Sequence, residues 1–148
     1  MQPGDLMLIK DHINWSGLSP LTGLNDDKLG PRFVDMSEAY DGDLRNKLAG
    51  IASESKISLH RGAYYAMQGP CFETKAEARM ARNFGMHAVG MSTAPEVLCA
   101  RSLGMRVVGV TALTNYAADL SPHTHSVEEV IEGGGGGTAA AAARAFFR

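Results

Sequence analysis

Apolar runs and capped helical segments alternate between residues 62 and 115, and this alternation restricts the fold more than any other feature. Short apolar runs indicate strands at 63–68, 87–91 and 106–113. The segments between them each begin with a T-x-x-E capping box and end at a glycine. This order is typical of parallel strands joined by right-handed crossovers. The sequence therefore predicts an α/β domain with a largely parallel sheet.

The two predicted helices have well-defined ends. Their box residues and terminating glycines are, in chain order, Thr74, Glu77, Gly85, Thr93, Glu96 and Gly104. In such a box the threonine hydroxyl and the glutamate carboxylate each satisfy a free backbone N–H group. We expect both threonines to cap their helices in this way.

The first third of the chain is less regular. Residues 5–9 indicate a strand, and residues 12–33 are rich in turn formers. Apolar residues at helical spacing then predict a helix from Met36 to Ile51, with Asp35 and Glu38 as its capping box. Gly42 would lie inside this helix, at a cost of about 1 kcal/mol relative to alanine.

The C-terminal end has an unusual composition. Residues 128–132 could begin a helix, but a run of glycines from Gly133 to Gly137 interrupts it. The stretch TAAAAARAFFR that follows can be helical again. We interpret the end as a terminal helix with a flexible joint, or as low-complexity sequence.

Composition excludes several classes of function. The 148 residues suit one domain, and the net charge of -2 without clustered Lys or Arg argues against nucleic acid as a partner. No apolar run approaches the roughly 18–20 residues that span a membrane. Cys71 and Cys99 form no metal-like or redox-like pair, and His123 and His125 alone do not predict a metal site. A reducing, cytoplasmic location is therefore expected.

Polar side chains follow the predicted strands. Glu73, Ser92 and Asn115 come after the three strand ends, and ligands of open α/β sheets bind beyond the carboxyl ends of the strands. If the strands are parallel, these side chains converge on one edge of the sheet. The sequence thus predicts one small-molecule site at that edge.

Each of these residues also has a purely structural interpretation. Glu73 could stabilise a helix N-terminus, or it could accept a hydrogen bond from a ligand N–H group. Ser92 could cap a helix or contact a phosphate. Asn115 could end a strand, or pair with a heterocycle that places N–H beside a lone pair. Phe72 and Met91 could be core residues, or could contact a flat ring and the floor of a ligand site.

Several long motifs resemble the trimeric purine nucleoside phosphorylases. The resemblance covers about residues 3–132 in matching order, and its segments are GDLMLIKDHIN at 4–14, RF at 32–33, MSEAYD at 36–41, GPCFET at 69–74, VGMSTAPEV at 89–97 and TN at 114–115. It implies a nucleoside phosphorylase-type three-layer α/β fold with a largely parallel sheet. It also implies that residues 1–148 are the C-terminal part of a single domain, truncated at the N-terminus.

The resemblance implies a reaction, in which a 6-oxopurine ribonucleoside such as inosine or guanosine and phosphate give free base and ribose 1-phosphate, reversibly. In this reading Asn115 binds N7 and O6 of the base, and Glu73 accepts a hydrogen bond from N1–H. Phe72 stacks on the base, Met91 lies under the ribose and Ser92 contacts phosphate. No metal or organic cofactor is implied, and inorganic phosphate is the co-substrate.

The resemblance also implies a homotrimer. Tyr64 matches a tyrosine near the base, and Phe33 matches an aromatic residue that reaches into the ribose pocket of the neighbouring subunit. The family's histidine for the ribose 5′-hydroxyl has no direct match. Either Val127 occupies its place, as in methylthio-nucleoside relatives, or His125 serves from a shifted loop.

The family's phosphate loop and Arg-x-His phosphate residues are absent from this sequence. We therefore expect phosphorolysis to be weak or absent in the chain alone. The alternatives are a non-catalytic purine-binding or oligomer-forming remnant, and a phosphorylase of the methylthioinosine or xanthosine type.

Overall fold

The computed structural model describes residues 1–134 and 145–146. This described part of the chain contains four strands and four helices. In order they are β1 (Leu6–Asn14), α1 (Gly42–Glu54), β2 (Leu59–Ala66), α2 (Lys75–Asn83), β3 (Ala88–Gly90), α3 (Ala94–Ser102), β4 (Gly109–Ala112) and α4 (Val127–Gly134). The helix predicted for TAAAAARAFFR lies almost entirely outside the described residues. None of the helices in the described ranges combines the length and the apolar character that crossing a membrane requires.

The strands form one sheet in the order β3-β2-β1-β4. β1 and β2 run parallel, as do β2 and β3, and a register shift separates Ile9 from Asp11 in β1. The predicted α/β fold with a largely parallel sheet is therefore confirmed.

β4 departs from the predicted direction, because it runs antiparallel to β1. Ala112 at the end of β4 pairs with Leu6 at the start of β1, and Gly109 pairs with Ile9. The carboxyl end of β4 thus lies beside the amino end of β1, away from the carboxyl ends of the other three strands. The expectation that all strands are parallel, so that all carboxyl ends share one edge, was wrong for β4. The strand–helix alternation fixes the order of elements, whereas the direction of β4 depends on its pairing with β1.

The core lies on β1 and β2. Residues 6–9 are buried on both faces of the sheet, as expected for a continuous apolar run. One buried cluster joins these strands to α3 and to the segment before α1. Its members are Met7, Ile9, Ala39, Tyr40, Tyr64, Ala66, Ala94 and Val97. Because Tyr64 belongs to it, the core also supports the cleft described below.

The first helix begins later than its sequence predicts. Asp41 is the N-cap of α1, and its Oδ1 accepts a hydrogen bond from the Leu44 N–H at 2.9 Å. Asp35 instead accepts from the Ser37 N–H in a turn, so the predicted box of Asp35 and Glu38 was wrong. Gly42 occupies the first helical position and avoids the cost of an interior glycine.

Two hydrogen bonds from Arg106 hold Asp41 in its place as the N-cap of α1. Nε and Nη2 of Arg106 donate to the two oxygens of Asp41 at 2.6 and 2.7 Å. These bonds, together with the N–H of Leu44, hold the pKa of Asp41 well below its usual range. The start of α1 is thus tied to the segment that leads into β4.

The predicted capping box of α2 is confirmed, because Thr74 and Glu77 bond reciprocally. The box predicted for α3 was wrong. Thr93 has φ 76° and caps nothing with its side chain, since its hydroxyl lies 3.2 Å from the Ser92 hydroxyl. Gly85 and Gly104 adopt positive φ after their helices, as predicted for stop residues.

The last described helix, α4, continues through the first two glycines of the run. The other three glycines lie outside the described residues, so the interruption predicted for the run stays a prediction. A Cβ added at Gly133 would overlap the Thr114 carbonyl oxygen and would lie 2.9 Å from the Thr114 Cα. The glycine therefore allows α4 to approach the backbone next to Asn115 closely.

The half-buried His12 forms a polar pair with Tyr40 of the core cluster. Nδ1 of His12 is 2.9 Å from the hydroxyl of Tyr40, and the two rings meet edge to face. Burial lowers the pKa of His12 and raises that of Tyr40 far above its usual value. Both groups therefore stay neutral near pH 7, which suits their place against the sheet.

Candidate functional site

A cleft of about 550 Å³ opens between β3, the loop after β2 and the loop after β4. The residues of the cleft that were predicted from the sequence are Tyr64, Phe72, Glu73, Met91, Ser92 and Asn115. Glu73, Ser92 and Asn115 therefore line the same cleft, although β4 runs in the unexpected direction.

The path of the chain after β4 brings Asn115 to the cleft. The Leu113 N–H donates to Asp5 O at 2.9 Å, and the Gly4 N–H donates to Leu113 O at 2.7 Å. The chain then crosses towards α2, where Asp119 binds Arg82 at 2.6 Å. The loop of residues 113–121 is thus held by contacts at Leu113 and Asp119, and Asn115 between them lines the cleft.

Glu73 is buried, with 9% of its surface exposed. Its Oε1 accepts a hydrogen bond from the Ala118 N–H at 2.9 Å. One carboxylate oxygen thus holds the 113–121 loop, and the other is able to accept from a ligand N–H group. The position of Glu73 before α2 was predictable, but its bond to Ala118 was not, because no local pattern connects the two.

The side-chain amide of Asn115 has a defined orientation. Its Oδ1 accepts from the Thr114 hydroxyl at 2.6 Å, and its Nδ2 donates to Tyr116 O at 3.0 Å. Nδ2 also lies 3.3 Å from Nδ1 of His125. Asn115 can therefore present an amide donor and an acceptor to the cleft after exchanging one of these partners.

Aromatic and thioether groups form much of the remaining wall. Tyr64 is 3% exposed, and its hydroxyl lies against Gly90, where a Cβ would overlap it. Met91 is 43% exposed, and its sulfur would be 2.6 Å from a Cβ at Gly69. Phe72 completes this largely apolar surface, which suits a flat ring.

Ser92 lies in the cleft just before α3. Its hydroxyl pairs with that of Thr93 and is exposed to ligands. Among the described residues that line the cleft, none is a lysine or an arginine. The cleft therefore provides hydrogen bonds and apolar contact, with little positive charge.

Two predicted site residues are not among those lining this cleft. Phe33 is 89% exposed on the long irregular segment before α1. His125 lines a neighbouring cavity of about 530 Å³, and its side chain is only 6% exposed. Val127 does line the cleft, at the end where α4 begins. Of the two alternatives for this position, the structure brings Val127 and not His125 to the cleft wall.

The described part of the chain contains no cluster of three or more His, Cys, Asp and Glu side chains suited to a metal ion. His123 and His125 each approach Glu129, at 3.3 and 3.7 Å.

Comparison with known proteins gives consistent results. The model of the phosphorylase superfamily matches residues 1–145. Purine nucleoside phosphorylase 1 of Geobacillus stearothermophilus is 50% identical over 133 residues, which cover 88% of this chain and 48% of that protein. Purine nucleoside phosphorylase 1 of Bacillus subtilis (strain 168) is 48% identical over 129 residues, covering 87% and 48%. The chain thus spans about half the length of the curated relatives it matches.

Solved structures agree with these sequence matches. Schistosoma purine nucleoside phosphorylase in complex with guanosine superposes with a TM-score of 0.90 and 38% identity, over 99% of this chain and 55% of that one. The schistosoma enzyme in complex with hypoxanthine gives a TM-score of 0.87 and 37% identity, over 99% and 54%. These likenesses confirm the fold type predicted from the motifs.

Proposed function

This chain belongs to the phosphorylase superfamily, and we propose that its cleft serves the reversible phosphorolysis of 6-oxopurine ribonucleosides such as inosine and guanosine. The observation that carries the proposal is that Glu73 and Asn115 line one cleft together with Phe72 and Met91. A carboxylate acceptor, an amide and a flat apolar wall match the edge and the faces of such a base.

The main requirement of the reaction is to stabilise the negative charge that develops on the departing base. Phosphate oxygen bonds to C1′ as the bond from C1′ to the base breaks, and the electron pair of that bond leaves on the purine. Groups that hold this developing negative charge better than the neutral ground state accelerate the step. The amide of Asn115 binds N7 and O6, where the charge accumulates, and Glu73 fixes the ring through N1–H.

Glu73 also explains the preference for 6-oxopurines. Such bases carry a hydrogen on N1, which donates to the carboxylate oxygen that Ala118 leaves available. Adenine has a lone pair at N1, which would face that carboxylate without a proton between them. One solved Schistosoma mansoni relative is a complex with adenosine, so the preference is one of relative affinity.

The described cleft offers phosphate fewer contacts than it offers the base. Ser92 is the predicted phosphate contact, and the described lining of the cleft contains no lysine or arginine. We therefore expect slow turnover by the chain alone, because binding and charge stabilisation of phosphate each contribute several kcal/mol, on the order of 3. The same observation favours a second candidate, a purine-binding protein without catalysis.

The remaining parts of the proposal concern assembly and location. The highly exposed Phe33 suits a role in the ribose pocket of a neighbouring subunit, and we propose a homotrimer on that basis. We also propose a cytoplasmic enzyme of purine salvage that uses no cofactor apart from phosphate as co-substrate.

The test is release of hypoxanthine from inosine in phosphate buffer, read by a coupled oxidase assay. Asn115→Ala is expected to reduce the rate by about 100-fold or more, since it removes the donor to the departing base. Asn83→Ala, at the exposed end of α2, is the matched control and should leave the rate unchanged. Binding of hypoxanthine without turnover would favour the purine-binding candidate. Absence of both binding and turnover would refute the proposed function.

A further inference from the structure

His125 contacts the side-chain amide of Asn115, although it is not among the residues that line the main cleft. Its Nδ1 is 3.3 Å from Nδ2 of Asn115, and its ring packs against Phe72 with centroids 5.5 Å apart. The side chain is 6% exposed. A buried imidazole thus contacts both the proposed base-binding amide and the proposed base-stacking ring.

The neighbours of Asn115 determine where the proton of His125 lies. Because Tyr116 O accepts from Nδ2, the amide nitrogen and not its oxygen faces His125. Nδ1 of the imidazole must then be the acceptor, which places the proton of the neutral ring on Nε2. Nε2 is buried and has no hydrogen-bond partner among the described residues.

Both amide hydrogens of Asn115 are therefore occupied by neighbouring groups of the chain. One goes to Tyr116 O at 3.0 Å and the other to His125 at 3.3 Å. The bond to His125 is longer and therefore weaker than the bond to Tyr116 O. A purine that accepts a hydrogen from this amide therefore displaces His125 more readily than it displaces Tyr116 O. Loss of that bond leaves the Nδ1 lone pair of a buried ring without a partner.

We propose that His125 is a positioning residue, which holds the free amide hydrogen of Asn115 until a purine base takes it, so that base binding is coupled to proton uptake by His125. The proposal rests on the proposed function, because it requires that Asn115 donates to the base. It places His125 outside the lining of the main cleft, in contact with Asn115 and not with the nucleoside.

Charged groups around His125 support protonation once Nδ1 is released. Oε2 of Glu129 on α4 is 3.7 Å from Nδ1, and its other oxygen is 3.3 Å from the exposed His123. Glu73 and Lys75 line the same neighbouring cavity as His125. Glu129 and Glu73 favour an imidazolium ion, and Lys75 opposes it.

Coupling of this kind is reciprocal. If base binding draws a proton onto His125, then a proton on His125 must strengthen base binding by the same factor. The affinity for the base should therefore fall as the pH is raised. A histidine that only fills space would give no such dependence.

The first experiment needs neither ligand nor variant. In the ¹⁵N-labelled chain, the side-chain NH₂ signals of Asn115 are followed by NMR from pH 5 to pH 8. We expect them to shift with the same midpoint as the ring signals of His125. Signals of Asn115 that do not respond to the titration of His125 would overturn the contact and the proposal with it.

The second experiment measures hypoxanthine binding by calorimetry between pH 5.5 and pH 8. The wild-type association constant is expected to fall by about threefold to tenfold over this range, with proton uptake visible in buffers of different ionisation enthalpy. His125→Gln keeps an acceptor but cannot titrate, and its affinity should be independent of pH. His123→Gln, which alters only the exposed partner of Glu129, should retain the wild-type profile.

The outcomes separate this proposal from the proposed function. Binding whose pH profile is the same in wild type and His125→Gln would overturn the role of His125 while leaving the function intact. If the wild-type chain binds no hypoxanthine, the proposed function fails and the coupling to base binding fails with it. The NMR titration would then still decide whether His125 holds Asn115.

Discussion

Gly90 is the residue whose substitution tests the architecture of the cleft most sharply. It ends β3 and lines the cleft, and the hydroxyl of Tyr64 lies where its side chain would be. A Cβ at this position would overlap that hydroxyl and would lie 3.0 Å from Cζ of the same ring. Gly90→Ala therefore forces Tyr64 to move, although the change adds only one methyl group.

The cost follows from how firmly Tyr64 is held. It is 3% exposed and belongs to the buried core cluster. Its backbone pairs with His12 on one side and with Ala88 on the other, so the strand cannot shift easily. Overpacking of this kind costs typically 1–3 kcal/mol, and we expect a loss of about 2–3 kcal/mol in the free energy of unfolding.

Gly50→Ala is the matched control. Gly50 lies inside α1, and a Cβ there meets nothing within 4 Å. Removing glycine from a helix interior should raise the free energy of unfolding by about 0.5–1 kcal/mol. The same substitution is thus predicted to have opposite signs at two sites of one chain.

Urea denaturation followed by far-ultraviolet circular dichroism measures both variants, with the slope m checked for constancy. A free energy of unfolding for Gly90→Ala within about 0.5 kcal/mol of the wild-type value, which is the range of neutral surface changes, would show that Tyr64 is not held against Gly90. Destabilisation by Gly50→Ala as large as that by Gly90→Ala would contradict the opposite signs predicted for the two sites.

Further predictions concern caps and ion pairs. Thr74→Ala should lower the free energy of unfolding by about 1 kcal/mol, because it removes the side-chain cap of α2. Thr93→Gly should raise the free energy of unfolding by about 1 kcal/mol, because it relieves the strain of a positive φ. Urea denaturation measures both changes. Asp41→Asn should lower the urea midpoint at pH 7. Because the folded-state pKa of Asp41 is depressed, its contribution is present above the ordinary carboxyl pKa of about 4 and is lost as pH falls; the variant should therefore show a shallower decline between about pH 4 and pH 2. Arg82→Gln removes the partner of the buried Asp119, and amide exchange in residues 116–121 should speed up by an amount equivalent to about 1–2 kcal/mol.

Features set by neighbouring residues were predictable from the sequence. The capping box of Thr74 and Glu77 is complete within one helical turn, and the sequence predicts it correctly. The strand predicted at 63–68, which overlaps β2 at Leu59–Ala66, and the stop at Gly85 depend in the same way on local apolar runs and backbone conformation. Such signals need no knowledge of the rest of the chain.

Features set by distant contacts were not predictable. Asp35 and Asp41 are both plausible caps, and Arg106, which lies 65 positions from Asp41, binds only the second. The direction of β4 depends on its pairing with β1, for which the sequence contains no local signal. The positive φ of Thr93 likewise cannot be inferred from a T-x-x-E pattern.

The candidate site shows the same division. Glu73 and Asn115 were identified because they follow strands, and they do share a cleft. Their actual partners, the Ala118 N–H and the His125 ring, depend on the path of the 113–121 loop and on the start of α4. Sequence patterns could therefore name the residues of the cleft but not the bonds that orient them.

Titration of hypoxanthine into the chain, with NMR detection of the methionine methyl groups and the asparagine side-chain amides, measures whether Met91 and Asn115 contact the same bound base. The account predicts that the Met91 methyl and the Asn115 amide shift together with one dissociation constant. The methyl of Met105, which is 55% exposed and lies outside the cleft lining, should not move. Signals of Met91 and Asn115 that stay constant up to saturating base, or shifts confined to other parts of the chain, would contradict the account.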